Sequence, residues 1–193
     1  MNKKRRERLC CMSAGSLVHA AAVRSITQQL AALLLVLFVH ALVHTATAAA
    51  EITGRVVGIT DGDTLTILDQ SQRQTRIRLA EIDTPESHQP YGSRAKQALS
   101  ELAFGKDVRV VVAAIDRYGR TVGRIYAGSV DISAEMVRQG AAWVYRKYNH
   151  DPSLLRLEQE AQQARRGLWA LPEAERTPPW EWRAAARAAR QGQ

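Results

Sequence analysis

The chain has 193 residues and carries 27 Lys and Arg against 19 Asp and Glu, a formal charge of +8. Six of the basic residues and one of the acidic ones lie in the first fifty, which leaves 21 against 18 and a net +3 for the rest. Overall charge is therefore no evidence for a nucleic-acid partner, and local placement has to carry any such claim. Both cysteines, Cys10 and Cys11, fall in the same first stretch, which excludes a disulfide scaffold, a thiol nucleophile or a thiolate zinc centre in everything after it.

That first stretch has a basic head (Lys3, Lys4, Arg5, Arg6, Arg8), an apolar run from Leu30 to Val43 and a small-residue exit at Ala48-Ala49-Ala50. The pattern is that of a secretory signal peptide cut after Ala50, so the protein is expected to be secreted or periplasmic. The apolar run falls short of the ~20 residues of a membrane span and is interrupted by His40. An uncleaved leader that anchors the chain to a membrane is the alternative, and Met12 could serve as a second start. The remainder fits one domain over 51–171, followed by a tail rich in Trp, Arg and Ala over 172–193.

Within the domain, Ile52 to Thr60 and Thr64 to Leu68 read as a hairpin through Asp61-Gly62-Asp63. Alternation predicts a third strand over Thr75 to Ile82, with Ile77 and Leu79 inward and Arg76 and Arg78 on the opposite face. Pro85 ends it, because proline has no N–H to give a ladder. A helix is expected from Ser93 to Phe104, with Ala95, Ala98, Leu99 and Leu102 on one face. Valine-rich Asp107 to Ile115 and Thr121 to Ala127 form the next antiparallel pair across Tyr118-Gly119. A short helix over Ser133 to Gln139, capped by Ser133, leads to extended Ala142 to Tyr145. The last helix is capped by Asp151, begins at Pro152 and runs through Arg166, presenting Leu154, Leu157, Ala161 and Ala164, with Glu158 as a salt bridge or cap to the strands. His88 and His150 read as exposed loop residues. Five strands, a helix between the third and fourth and helices after the fifth describe a mainly β, OB-fold, five-stranded Greek-key barrel with about three helices. The tail reads as a loosely attached extension.

Three polar turns interrupt this pattern: Asp61-Gly62-Asp63-Thr64, then Arg78-Leu79 leading to Asp83-Thr84-Pro85-Glu86, then Asp116-Arg117-Tyr118-Gly119-Arg120. Taken singly, each is an ordinary turn, strand exit or solvated charge. Asp63 and Asp83 bound strands, so a barrel can bring both carboxylates together as hard donors for a divalent cation, and no histidine or cysteine joins them to favour zinc or iron. Arg78 and Arg120 offer rigid donor forks suited to phosphate oxygens.

In this combination and order the motifs resemble the thermonuclease family, the staphylococcal nuclease-like enzymes, over roughly Ile52 to Trp169. The resemblance implies a secreted, Ca2+-dependent nuclease that hydrolyses DNA and RNA with little base preference and leaves 3′-phosphate ends. It assigns Asp63, Asp83 and the Thr84 carbonyl to the metal, with Asp61 one layer behind; spacing alone leaves magnesium open. Arg78 and Arg120 would stabilise charge on the phosphoryl oxygens, and Glu86 would take the attacking water's proton as general base or hold that water in place. Arg117, Tyr118, Trp143 and Tyr145 would contact substrate, with Trp143 and Arg117 standing where a tyrosine and a lysine are usual. DNA and RNA are the implied partners of a monomer. The competing reading is a non-catalytic nucleic-acid-binding barrel, against which the complete set Asp63, Arg78, Asp83, Glu86 and Arg120 speaks.

Overall fold

A computed structural model describes residues 50–192. The expected leader occupies 1–50 and lies outside the described residues except for Ala50. Five long strands close on themselves. β1 (Glu51–Ile59), β2 (Thr64–Leu68) and β3 (Gln74–Leu79) form an antiparallel meander. β5 (Asp107–Ile115) returns beside β1, and β6 (Thr121–Ala127) pairs with it. Parallel pairing of Ile77, Arg78 and Leu79 in β3 with Thr121, Val122 and Gly123 in β6 completes the barrel. Closure removes the unpaired edges that an open sheet of this size would present.

The inward residues follow the period of two. Leu65, Ile67, Ile77, Val110 and Ile125 are all buried, and the cluster continues to Leu99, Met136 and Leu154 on the helices that plug the barrel. These helices are α1 (Gly92–Ala103), α2 (Ile132–Arg138) and α3 (Pro152–Gln163).

Four expectations need correction. The third strand does not run to Ile82: it ends at Leu79, Glu81 adopts a left-handed conformation (φ 67), and Ile82–Asp83 (β4) pairs instead with Trp143–Val144 (β8) in a separate two-stranded ladder. The second helix is capped not by Ser133 but by Asp131, from the short strand β7 (Val130–Asp131), whose carboxylate accepts the Ala134 N–H at 3.0 Å. The Ser133 hydroxyl donates instead to the Ala80 carbonyl at 3.2 Å, tying α2 to the end of β3. α3 ends at Gln163 rather than Arg166, because the chain turns through left-handed Arg165 and Gly167 into a 3-10 turn (Gly167–Ala170), and Ala164 is left exposed. Finally, the tail is not loose. It forms a 3-10 turn (Glu173–Glu175) and a fourth helix, α4 (Pro179–Gln191), whose first residue is buried.

Glu158 does link helix to barrel: it is buried, accepts the Val144 N–H at 2.8 Å and pairs with Arg146 at 2.7 Å.

Candidate active site

The hairpin turn after β1 positions the first acid. Asp61 accepts the Asp63 N–H at 3.1 Å, which braces the turn from behind, and the Asp63 carbonyl accepts the Leu79 N–H at 2.8 Å, which fixes the turn against β3. Gly62 has to be glycine: a Cβ there would lie 2.7 Å from the Thr84 hydroxyl and 2.9 Å from the Ala95 Cβ. The first and second polar turns are therefore in direct contact through Gly62 and Thr84.

Arg78, on the outer face of β3, joins the two acids. Its guanidinium donates to Asp63 Oδ2 at 2.6 Å and to Asp83 Oδ1 at 2.9 Å, one nitrogen to each carboxylate. The break in β3 makes this possible, since the left-handed step at Glu81 redirects the chain so that Asp83 comes back toward the arginine five residues before it. Glu81 is held in that step by Arg124, by the His150 N–H at 2.8 Å and by the Tyr145 N–H on its carbonyl at 2.8 Å. Arg124 in turn pairs with Asp131 and, at 3.1 Å, with Asp151. Neither Glu81 nor Arg124 stands out in the sequence, because an outward Arg on a strand and an acid after one read as solvated charges.

Arg120 lies at the other side of the same cleft. Its Nε donates to Asp116 at 2.7 Å, and a second nitrogen reaches the Thr64 hydroxyl at 3.5 Å. That hydroxyl donates to Asp63 at 2.9 Å, so the third polar turn connects to the first through one side chain. Arg117 and Arg120 flank the exposed Tyr118 ring, with guanidinium carbons 4.8 and 5.5 Å from its centroid. Glu86, half exposed, lines the cleft together with Tyr145 and Thr84. Trp143 does not line it: its ring packs edge-on against Trp169 at 4.3 Å and Trp180 at 6.0 Å, as part of a small aromatic cluster.

The cleft encloses about 1380 Å³, more than the ~300–1,000 Å³ usual for a small-ligand pocket. Burial pushes the Asp63 carboxyl up to about 7, with Asp61 and Asp83 adding to the effect and Arg78 opposing it. The residues able to hold a cation are Asp63, Asp83 and Thr84, all with hard oxygen donors and all largely buried. Among the described residues no three His, Cys, Asp or Glu side chains gather tightly enough to complete a site by themselves. A two-carboxylate set of this kind fits an oxygen-seeking cation that keeps part of its water, and not zinc.

One residue in the cleft comes from the tail. Arg183 of α4 donates to both oxygens of Asp83, at 3.2 and 2.6 Å, and to Glu86 Oε1 at 2.7 Å.

A closed five-stranded barrel with its acids and arginines at one cleft is the architecture of an OB-fold enzyme or nucleic-acid-binding domain. The chain matches the family described as staphylococcal nuclease homologue over residues 76–171. It is 47% identical over 135 residues to an uncharacterised endonuclease of Escherichia coli O157:H7, covering 69% of this chain and 86% of that one. It is 44% identical over 170 residues to a micrococcal nuclease of Shigella flexneri, covering 82% and 95%. An uncharacterised endonuclease of Haemophilus influenzae is 44% identical over 131 residues, covering 68% and 72%. The chain belongs to the staphylococcal nuclease homologue family.

Proposed function

We propose that this protein is an exported, calcium-dependent nuclease that hydrolyses phosphodiester bonds of DNA and RNA with little base selectivity and leaves 3′-phosphate ends. The observation that carries the reading is the bridge Asp63–Arg78–Asp83, in which Asp63 and Arg78 line a cleft that also holds Arg120 and Glu86, with Asp83 buried directly behind the guanidinium. The nuclease names of the relatives point the same way.

A calcium ion on Asp63, Asp83 and Thr84 would supply positive charge to the phosphoryl oxygen and order a water molecule. The rest of the chemistry belongs to the chain. Arg78 and Arg120 offer guanidinium N–H groups to the non-bridging oxygens, whose negative charge grows as the phosphorus becomes five-coordinate, so their hydrogen bonds strengthen in the transition state. The Glu86 carboxylate, partly open to solvent, accepts a proton from the attacking water or holds that water in line. Tyr118 and Tyr145 offer ring faces to the bases on either side, an interaction that tolerates any base. Contacts to phosphate rather than base edges account for weak sequence preference.

The test is degradation of denatured and duplex DNA by the purified chain in calcium, in magnesium and in chelator, with end-group analysis of the products. Cleavage in calcium alone with 3′-phosphate ends is the expected result. Binding without cleavage in every buffer would make the protein a non-catalytic barrel.

A further inference from the structure

The C-terminal helix is the feature that the proposed chemistry does not use. α4 enters the cleft with two side chains that match, in chemical kind, what a loaded enzyme would hold there. Arg183 places a cation across both oxygens of Asp83 and on Glu86. Trp180 lies parallel to the Tyr145 ring, with centroids 5.4 Å apart and planes 4° from coincidence. The helix is held in this place by more than those two contacts: Pro179 is buried, the Gln89 side-chain amide donates to the Thr177 carbonyl, and Arg187, one turn beyond Arg183, also lines the cleft.

We propose that α4 is a built-in occupant of the active site, with Arg183 standing where the cation binds and Trp180 where a base stacks, and that calcium and nucleic acid displace it. The inference rests on the metal reading above. Its physical basis is competition for the same lone pairs. Asp83 is fully buried and already gives one oxygen to Arg78, so with Arg183 on both oxygens it has little left for a metal ion. Tyr145 likewise has one ring face covered by Trp180 and an edge contact with Tyr148 at 4.9 Å. Charge favours exchange in the presence of the ion, because one divalent cation replaces one guanidinium beside Asp63, Asp83 and Glu86. The apparent affinity for calcium is then the intrinsic affinity scaled by the fraction of molecules with the helix undocked.

The experiment is a calorimetric calcium titration of the full chain, of Arg183→Ala and of Trp180→Ala. The second variant loosens the helix without touching a carboxylate and guards against misfolding of the first. Both variants should bind calcium about tenfold more tightly than the parent, which corresponds to a helix docked in roughly nine molecules of ten. In the parent, added calcium with single-stranded DNA should speed tryptic cleavage after Arg183, whose guanidinium is held by Asp83 and Glu86 while the helix is docked. Equal calcium affinity in all three chains overturns the proposal while leaving the metal reading intact. Weaker DNA binding by Arg183→Ala with calcium affinity unchanged also overturns it, and makes Arg183 a phosphate ligand instead. Absence of calcium binding in every chain overturns the metal reading itself, and the proposal with it.

Discussion

Arg78 shows how one side chain can organise a site before any ligand arrives. It is mostly buried and sits between two carboxylates, one of them fully buried. Arg78 takes one oxygen of each acid, while the other Asp63 oxygen accepts the Thr64 hydroxyl and the other Asp83 oxygen accepts Arg183. Arg120 has a different setting, aimed by Asp116 and less buried, so its replacement should disturb chemistry more than folding. Arg120→Lys keeps the charge and loses the fork, and kcat should fall by ~10²–10³, the scale of losing one donor to a transition-state oxyanion; an unchanged kcat with normal folding would remove Arg120 from the reaction. Asp63 gives a pH dependence. Because burial raises it to about 7, a cation must displace a proton below that pH, and calcium affinity should rise with pH up to about 7 and level off above. Without the cation the sign for stability is the reverse: Asp63 contributes most when protonated, below the ordinary value of 3.8, and that contribution is lost as pH rises through about 7. Calorimetric affinities from pH 5 to 8 check the first effect, and a flat profile would show that Asp63 carries no competing proton.

The elements explain which parts of the site are legible in the sequence. Asp63 and Arg78 can be placed because alternation and turn chemistry are local signals: Thr64 pairs with Arg78 across β2 and β3, as a hairpin followed by an alternating strand requires. The break after Leu79 is not legible. The alternation lapses at Ala80-Glu81, but a lapse does not say where the chain goes, and the contacts that redirect it come from Arg124, Tyr145 and His150, more than forty positions away. The N-cap of α2 is missed for a subtler reason, since Asp131 and Ser133 are both good caps two residues apart, and the pairing of Tyr126 with Asp131 decides between them. The start of α1 bears on Glu86. A Cβ at Gly92 would fall 1.9 Å from the Glu86 carbonyl oxygen, so backbone must move to admit it. Gly92→Ala should therefore shift the Glu86 loop and reduce kcat at least tenfold, whereas Ala98→Gly on the same helix should cost the ~1 kcal/mol of helix propensity and the packing of one methyl against the core, with kcat unchanged. Parallel kinetic and denaturant measurements separate the two, and full activity in Gly92→Ala would mean that the loop is not held as described.

At the scale of the whole molecule, Arg124 is the principal structural cation. It faces Glu81, Asp131 and Asp151, and so ties the end of β3, the start of α2 and the start of α3. Arg124→Ala would leave three acids facing one another and should destabilise the fold by ~2–4 kcal/mol, somewhat under the range for a wholly buried pair because these groups keep some solvent. Urea unfolding measures it; a loss below 1 kcal/mol would show that the network is incidental. The docking of α4 is not legible either. The sequence reads there only as a loose extension, because its alanines and arginines carry no stripe of large apolar side chains that would say against what surface a helix lies.

The seam between β3 and β6 has a consequence for when activity can exist at all. Ile77 and Thr121 are 44 positions apart, and their parallel pairing is what carries Arg78 and Arg120 to opposite walls of one cleft. Loop closure over such a distance comes late and costs entropy before it is rewarded. A chain in which only the β1–β3 meander has formed therefore has Asp63 and Arg78 near each other but lacks Arg120 beside them, and is expected to be inactive. After dilution from denaturant, cleavage should return with the slowest phase of refolding. Cleavage that returned with an earlier phase would mean the seam is not what assembles the site.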